Sequence, residues 1–192
     1  LQGFCTSPMT AINYYRRQVL QQISFFGIYL GASGISYGAT SYFLSGSLIN
    51  LYLLTQSPIQ RELLGIIQVD LISPELRFDE PRQRLILQSD LTMRLDNSQP
   101  VQALMQCSSS FRYEVSSRKI FLKDPLIDQL RIEKIDDKIG LNHLILSQIN
   151  PFLTGWINGL LVFELNSKTQ PIFKKPPSDI KIESEGIRFY FS

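Results

Sequence analysis

Between residues 67 and 115 the large apolar side chains fall on alternate positions. Ile67, Val69 and Leu71 share one parity, and Leu76 and Phe78 resume that side after Ser73-Pro74, which predicts a bulge or edge irregularity there. Leu85, Leu87, Leu91, Met93 and Leu95 make the next inward row, against Gln88, Asp90, Thr92 and Arg94. Val101, Ala103, Met105, Cys107, Phe111, Tyr113 and Val115 make the third, against Gln102, Gln106, Ser108, Ser110, Arg112 and Glu114. Such alternation marks strands with one buried face. A strand as long as the third is expected to bend strongly. FDEPRQ and DNSQP are polar turns, and SSRK leads into a further extended run from Ile120 to Ile135, broken at Pro125.

Over Leu141–Leu161 the period changes. Leu141, Leu144, Ile145, Ile149, Phe152, Leu153, Trp156, Ile157, Leu160 and Leu161 recur in steps of three and four, which predicts a long helix with a wide apolar stripe. Its other face, with Asn142, Gln148, Asn150, Thr154 and Asn158, is polar but uncharged, so burial against the sheet is expected. Pro151 predicts a kink. A shorter helix is predicted within Tyr42–Gln56, after a brief extended piece, with Ser45 or Ser47 as cap and Ser57-Pro58 as stop. Ile180 and Ile182, then Ile187, Phe189 and Phe191, flank a turn at Ser184-Glu185-Gly186 and predict a terminal hairpin. The expected class is α+β: a long helix in the C-terminal half wrapped by a strongly bent antiparallel sheet, with a short helix near the mature N-terminus.

The 192 residues suffice for one well-buried domain, and 44 % hydrophobic against 19 % charged residues excludes a disordered chain. The net charge of +2 comes from Arg16 and Arg17, because the rest of the chain is balanced. A neutral body offers no general field for polyanions, so nucleic-acid binding is not expected. Two cysteines without a CxxC pair and one histidine, His143, cannot assemble a soft-ligand metal site, and no Asp-rich loop suits a hard cation. No metal or cofactor is expected.

Arg16-Arg17, an apolar run from Ile23 to Leu30, and then Gly31, Ala32, Ser33 and Gly34 follow the grammar of a secretory signal. An uncleaved anchor is the rival, since Ile23–Leu44 is long enough to span a bilayer; a buried hairpin of a soluble protein ranks third. Residues 1–34 are therefore read as a signal-peptide or membrane-anchor segment and residues 35–192 as one domain.

Several short motifs resemble the YceB-like family of small Gram-negative envelope lipoproteins. They are Ile49-Asn50 to Leu53 on the short helix, Leu87, Ser89, Asp90 and Leu91 on one strand, and Ile120, Leu122, Lys123 and Asp124 on another. The likeness covers about residues 40 to 192 and rests on order and spacing, since none of the motifs is catalytic. It implies a fold like the tubular lipid-binding (TULIP) superfamily, in which a bent sheet wraps a long helix around an apolar channel. It also implies a periplasmic or envelope location. The chain lacks the family's lipid-attachment cysteine, which leaves a soluble periplasmic or signal-anchored protein.

Carboxylate pairs occur at Asp136/Asp137, Asp79/Glu80 and Glu183/Glu185, all at turns or helix ends where such groups are ordinarily solvated or capping. His143 has no nucleophile motif to serve, and Cys107 has inward parity, as a small buried hydrophobe. Lys174-Lys175 next to Pro176-Pro177 reads as a solvated loop, with contact to anionic headgroups as the alternative. No enzymatic activity is expected. Val69, Leu71, Leu87, Leu91, Met93, Val101, Met105, Leu144, Phe152 and Trp156 would line an apolar cavity for a lipid or acyl chain, or would simply pack together. Two roles follow: a lipid-binding envelope protein, or a structural or interaction module with a solid core and a protein partner. The resemblance favours the first.

Overall fold

Period-two alternation sets most of the described residues into antiparallel strands, and a curled sheet is the result. The computed structural model describes residues 40–63, 65, 67–95, 100–133, 144–165 and 176–192. The expectations for residues 1–34, Asp136-Asp137, His143 and Lys174-Lys175 lie outside the described residues.

In chain order the elements are β1 (Thr40–Ser45), α1 (Gly46–Gln56), β2 (Ile59–Leu63), β3 (Ile67–Asp79), β4 (Arg84–Leu95), β5 (Val101–Glu114), β6 (Lys119–Glu133), α2 (Leu144–Ile157), β7 (Leu161–Glu164), β8 (Asp179–Glu183) and β9 (Gly186–Phe191). Strands β2 to β7 pair in sequence order as one six-stranded antiparallel sheet, and β1, β9 and β8 form a second of three strands. Register pins the inward rows against each other: Val69 faces Met93, Leu71 faces Leu91, and Leu87 faces Cys107. Because side chains alternate, a slip of one residue would turn every one of these outward.

The α+β arrangement expected from the sequence is not what forms. Among the described residues the chain is mostly antiparallel sheet curled into a half barrel, with two short helices and no long helix wrapped by strands. The reason is local to the end of α2. Gly159 sits at φ 93°, in the left-handed region where glycine ends helices. Its N–H donates to Leu122 O at 2.8 Å, and Leu122 N–H donates to Leu160 O at 2.9 Å. The chain therefore passes from helix into the β6 ladder, and Leu161–Glu164 runs as β7. The apolar residues Leu160 and Leu161 fit a helical stripe and a strand equally well; the backbone bonds offered by β6 decide between them.

Strand irregularities fall at marked positions. β3 shifts register between Ile72 and Glu75, around Ser73 at φ 49°. β5 and β6 shift between Ser108 and Ser110, opposite Asp124 at φ 50°. Bulges of this kind increase the twist of a long strand and let a sheet curl.

The short helix α1 lies where that curl leaves a gap. Ser45 caps it, accepting from Leu48 N–H at 3.4 Å, and Ser57-Pro58 stops it. The helix packs on both β3 and β7, near opposite edges of the six-stranded sheet, and also touches β1 and β9. Ile49 and Leu53 are fully buried, while the Tyr52 ring lies 5.3 Å from Phe163 of β7. Side chains from both sheets and both helices join one apolar core. Complete burial of a leucine or isoleucine such as Leu53 or Ile49 favours folding by roughly 1.5–3 kcal/mol.

Candidate functional site

The residues expected to line a cavity are brought together. Val69, Leu71, Leu87, Leu91, Met93, Met105 and Trp156 all belong to the buried core, none more than 9 % exposed. Val101 and Phe152 are partly buried against it, and the Phe152 and Trp156 rings lie 5.9 Å apart. Leu144 stands at the start of α2, and its side chain lies outside the described residues.

An open depression occurs elsewhere, on the outer face at the β3 bulge. Ser73, Glu75, Gln88, Ser89, Asp90 and Leu104 line about 170 Å³ there. That is well below the roughly 300 Å³ at which pockets for small organic ligands begin.

The carboxylates read from the sequence as acid-base candidates hold turns. Asp79 accepts from Arg82 N–H at 3.2 Å, and Glu80 accepts from Ser184 N–H at 3.0 Å, tying the β3–β4 tip to the β8–β9 turn. Glu183 takes a two-point hydrogen bond from the Arg188 guanidinium, which lies 5.0 Å from the centre of the Phe43 ring. That bond holds the Glu183 carboxyl below the usual range. Asp70 is nearly fully buried, yet it accepts from Gln68 Nε2 at 3.0 Å and pairs with Arg94 at 3.4 Å. Burial, with help from the Asp128 carboxylate, pushes the Cys107 thiol up to about 12, the opposite of an activated nucleophile. Burial first and the Glu164 carboxylate second raise Tyr52. Among the described residues no cluster of His, Cys, Asp or Glu could hold a metal ion.

Alternation alone does not reveal four side chains that act in place of missing strand neighbours. Asn50 donates to Leu76 O at 3.0 Å and accepts from Leu76 N–H at 2.7 Å. Gln83, in the β3–β4 turn, does the same for Ile182 on β8, donating at 2.8 Å and accepting at 2.9 Å. Ser89 donates to Ile72 O at 2.8 Å, beside the β3 bulge. Ser109 serves the β6 bulge, accepting from Lys123 N–H at 3.1 Å with its hydroxyl 2.8 Å from Lys123 O. A usable signal exists for the two serines: each has the parity of an inward apolar row, and a buried hydroxyl must find a partner.

A scan against protein-family models and a search of curated proteins both find no match for this chain. The motifs behind the YceB-like resemblance coincide with these bracing positions: Asn50 is a clamp, Ser89 serves a bulge, and Lys123-Asp124 is the stretch that Ser109 holds. In each of these contacts the partner is a backbone group.

Proposed function

We propose that the chain is a non-enzymatic module of a Gram-negative cell envelope, with a filled core, working through its surface on a partner. Packing supports this most: seven of the residues expected around a ligand belong to the buried core cluster, none more than 9 % exposed. An acyl chain held between sheet and helices would have to displace them, at a cost of several kcal/mol of packing. The carboxylates and the thiol described above hold turns or sit inert, and this too favours a module over an enzyme.

The envelope location is supported by Arg16-Arg17, the apolar run after them and the small residues at 31–34. The YceB-like motifs add to it, although the tubular lipid-binding fold which that likeness implies is not the fold of this chain.

Expression of the full chain in a Gram-negative host, followed by fractionation and native mass spectrometry, tests the reading. Recovery in the envelope fraction at the mass of the protein alone is expected. Recovery in the cytosol, or a lipid bound in stoichiometric amount, would overturn it.

A further inference from the structure

Asn-Gly occurs once in the chain, at Asn158-Gly159, where α2 hands over to β7. Ile157 and Leu160 on either side are buried, while Asn158 and Gly159 are exposed, so the pair is open to water between two anchored neighbours. Gly159, at φ 93°, has nothing within 4 Å of the place a Cβ would take. Its peptide nitrogen therefore carries no side chain to hinder approach to the asparagine side-chain carbon.

Two hydrogen bonds bear on this pair with opposite effects. Asp124 N–H donates to Asn158 Oδ1 at 3.2 Å. A donor on that oxygen favours attack at Cγ, because the oxygen gathers negative charge as the attack proceeds. Gly159 N–H donates to Leu122 O at 2.8 Å, so the nitrogen is engaged on β6 and that bond must open before it can act as a nucleophile. Contacts at exposed turns open locally, at a fraction of the cost of global unfolding.

We propose that Asn158-Gly159 is a self-modification site, at which the asparagine amide is converted to an acid in the folded molecule, with the Gly159–Leu122 hydrogen bond as its gate. The Gly159 nitrogen attacks Asn158 Cγ as the Cγ–Nδ2 bond breaks, and its proton ends on the departing ammonia. The product is a cyclic imide. Water then opens the imide at either carbonyl and leaves aspartate or isoaspartate. One water is consumed and one ammonia released, with no oxidant or cofactor. Isoaspartate routes the backbone through the former side chain and adds one carbon between α2 and Gly159. Gly159 N–H bonds Leu122 O and Leu160 O bonds Leu122 N–H, so the added carbon must displace that pair. Aspartate keeps the backbone length and an acceptor for Asp124 N–H. This inference stands independently of the envelope reading.

The test incubates the folded full chain at mildly alkaline pH in heavy-oxygen water, with a parallel sample in urea, and maps position 158 by digestion and mass spectrometry. Conversion in the folded chain is expected to be about 10- to 100-fold slower than in urea, the factor for opening the two bonds to Leu122. Asn158→Gln should not convert over the same time. Amide exchange gives a second reading: protection of Leu122 N–H should be lost in the isoaspartate fraction and kept in Asn158→Asp. A folded rate equal to that in urea would mean that the bond gates nothing. Suppression beyond about a thousandfold, the scale of global unfolding, would confine the reaction to the unfolded chain. Either result overturns the proposal, and so does a Leu122 amide equally protected in the isoaspartate fraction and in Asn158→Asp.

Discussion

Asn50 of α1 and Leu76 of β3 pair through two hydrogen bonds, amide to backbone, as neighbouring strands would. β2 pairs β3 only from Ile67 to Leu71, so Leu76 has β4 on one side and, among the described residues, no strand on the other. The side-chain amide supplies one donor and one acceptor at the spacing of a peptide group, which seals the backbone where the curled sheet lacks a strand. Asn50→Ala should lower stability by about 2–3 kcal/mol, since a deprived backbone N–H or C=O costs ~1–3 kcal/mol and water reaches this site in part. Asn50→Asp keeps the acceptor and sets a carboxylate against Leu76 O, so it should cost about as much near neutral pH. Urea unfolding with an unchanged m-value checks both. A loss under ~0.5 kcal/mol for the alanine variant would mean that water replaces the amide without penalty.

The long strands could be read from the sequence because they obey a period of two, and the rows facing inward at Val69, Leu87 and Met105 are buried rows of the molecule. Val115 is the exception in its row: it falls in the β5–β6 turn and is 45 % exposed. The fate of Leu160 and Leu161 could not be read, because an apolar pair fits either period and only the β6 backbone selects the strand. Nor could the role of α1. Its sequence shows a short capped helix, but which edges it joins follows from the curl of the sheet, a tertiary property. Of the residues expected to line a cavity, Val69, Leu71, Leu87, Leu91, Met93, Met105 and Trp156 lie in the buried core. Whether such a set encloses space or fills it is a matter of volumes that alternation does not contain.

Ser109 and Ser110 are neighbours with unequal duties. Both hydroxyls reach Lys123 O at 2.8 Å, but only Ser109 also accepts Lys123 N–H, and only Ser109 is fully buried. Ser109→Ala should destabilise by about 1–3 kcal/mol and Ser110→Ala by less than ~1 kcal/mol. Amide exchange at Lys123 gives the local readout: protection should fall in the first variant and persist in the second. Equal losses would show that the bulge is held by geometry rather than by the hydroxyl.

Two glycines mark the junction between β1, α1 and the β8–β9 turn. A Cβ on Gly186 would run into the backbone carbonyl of Leu44, which is fixed in the β1–β9 pairing. A Cβ on Gly46 would meet the Phe78 ring, a side chain that can turn aside, and Glu185 O at 3.1 Å. Gly186→Ala should therefore be the worse of the two, costing about 2–3 kcal/mol through overpacking. Gly46→Ala should cost less, because the better helix propensity of alanine offsets part of the strain. The order of the two melting temperatures decides the matter, and a reversed order would refute the steric argument.

Glu183 and Arg188 predict an acid dependence. The hydrogen bond from Arg188 lowers the Glu183 carboxyl below its ordinary value of 4.5. Its contribution is thus present above the unfolded value and is lost as pH falls through the folded one. Both partners stand at the surface, so the effect should be modest and should weaken in high salt. Glu183→Gln should flatten the stability profile below about pH 4.5 relative to the native chain. Profiles that superimpose would show that the pair contributes nothing measurable.

Cys107 predicts a dependence at the other end of the scale. Burial raises the thiol from its ordinary 9.0 to about 12, so the folded molecule keeps its proton where the unfolded chain has released it. The stability owed to the neutral thiol is whole below about pH 9 and drains away as pH rises toward about 12. Within that window the slope reaches at most ~1.4 kcal/mol per pH unit, and Cys107→Ala should lack it. The same burial makes the thiol silent to iodoacetamide in the native state. In a Cys5→Ser background, modification at pH 8 should proceed at the rate of global unfolding and accelerate with urea along the unfolding limb. Rapid labelling in the absence of denaturant would mean that the β4–β5–β6 core opens locally, and the filled-core reading would fail with it.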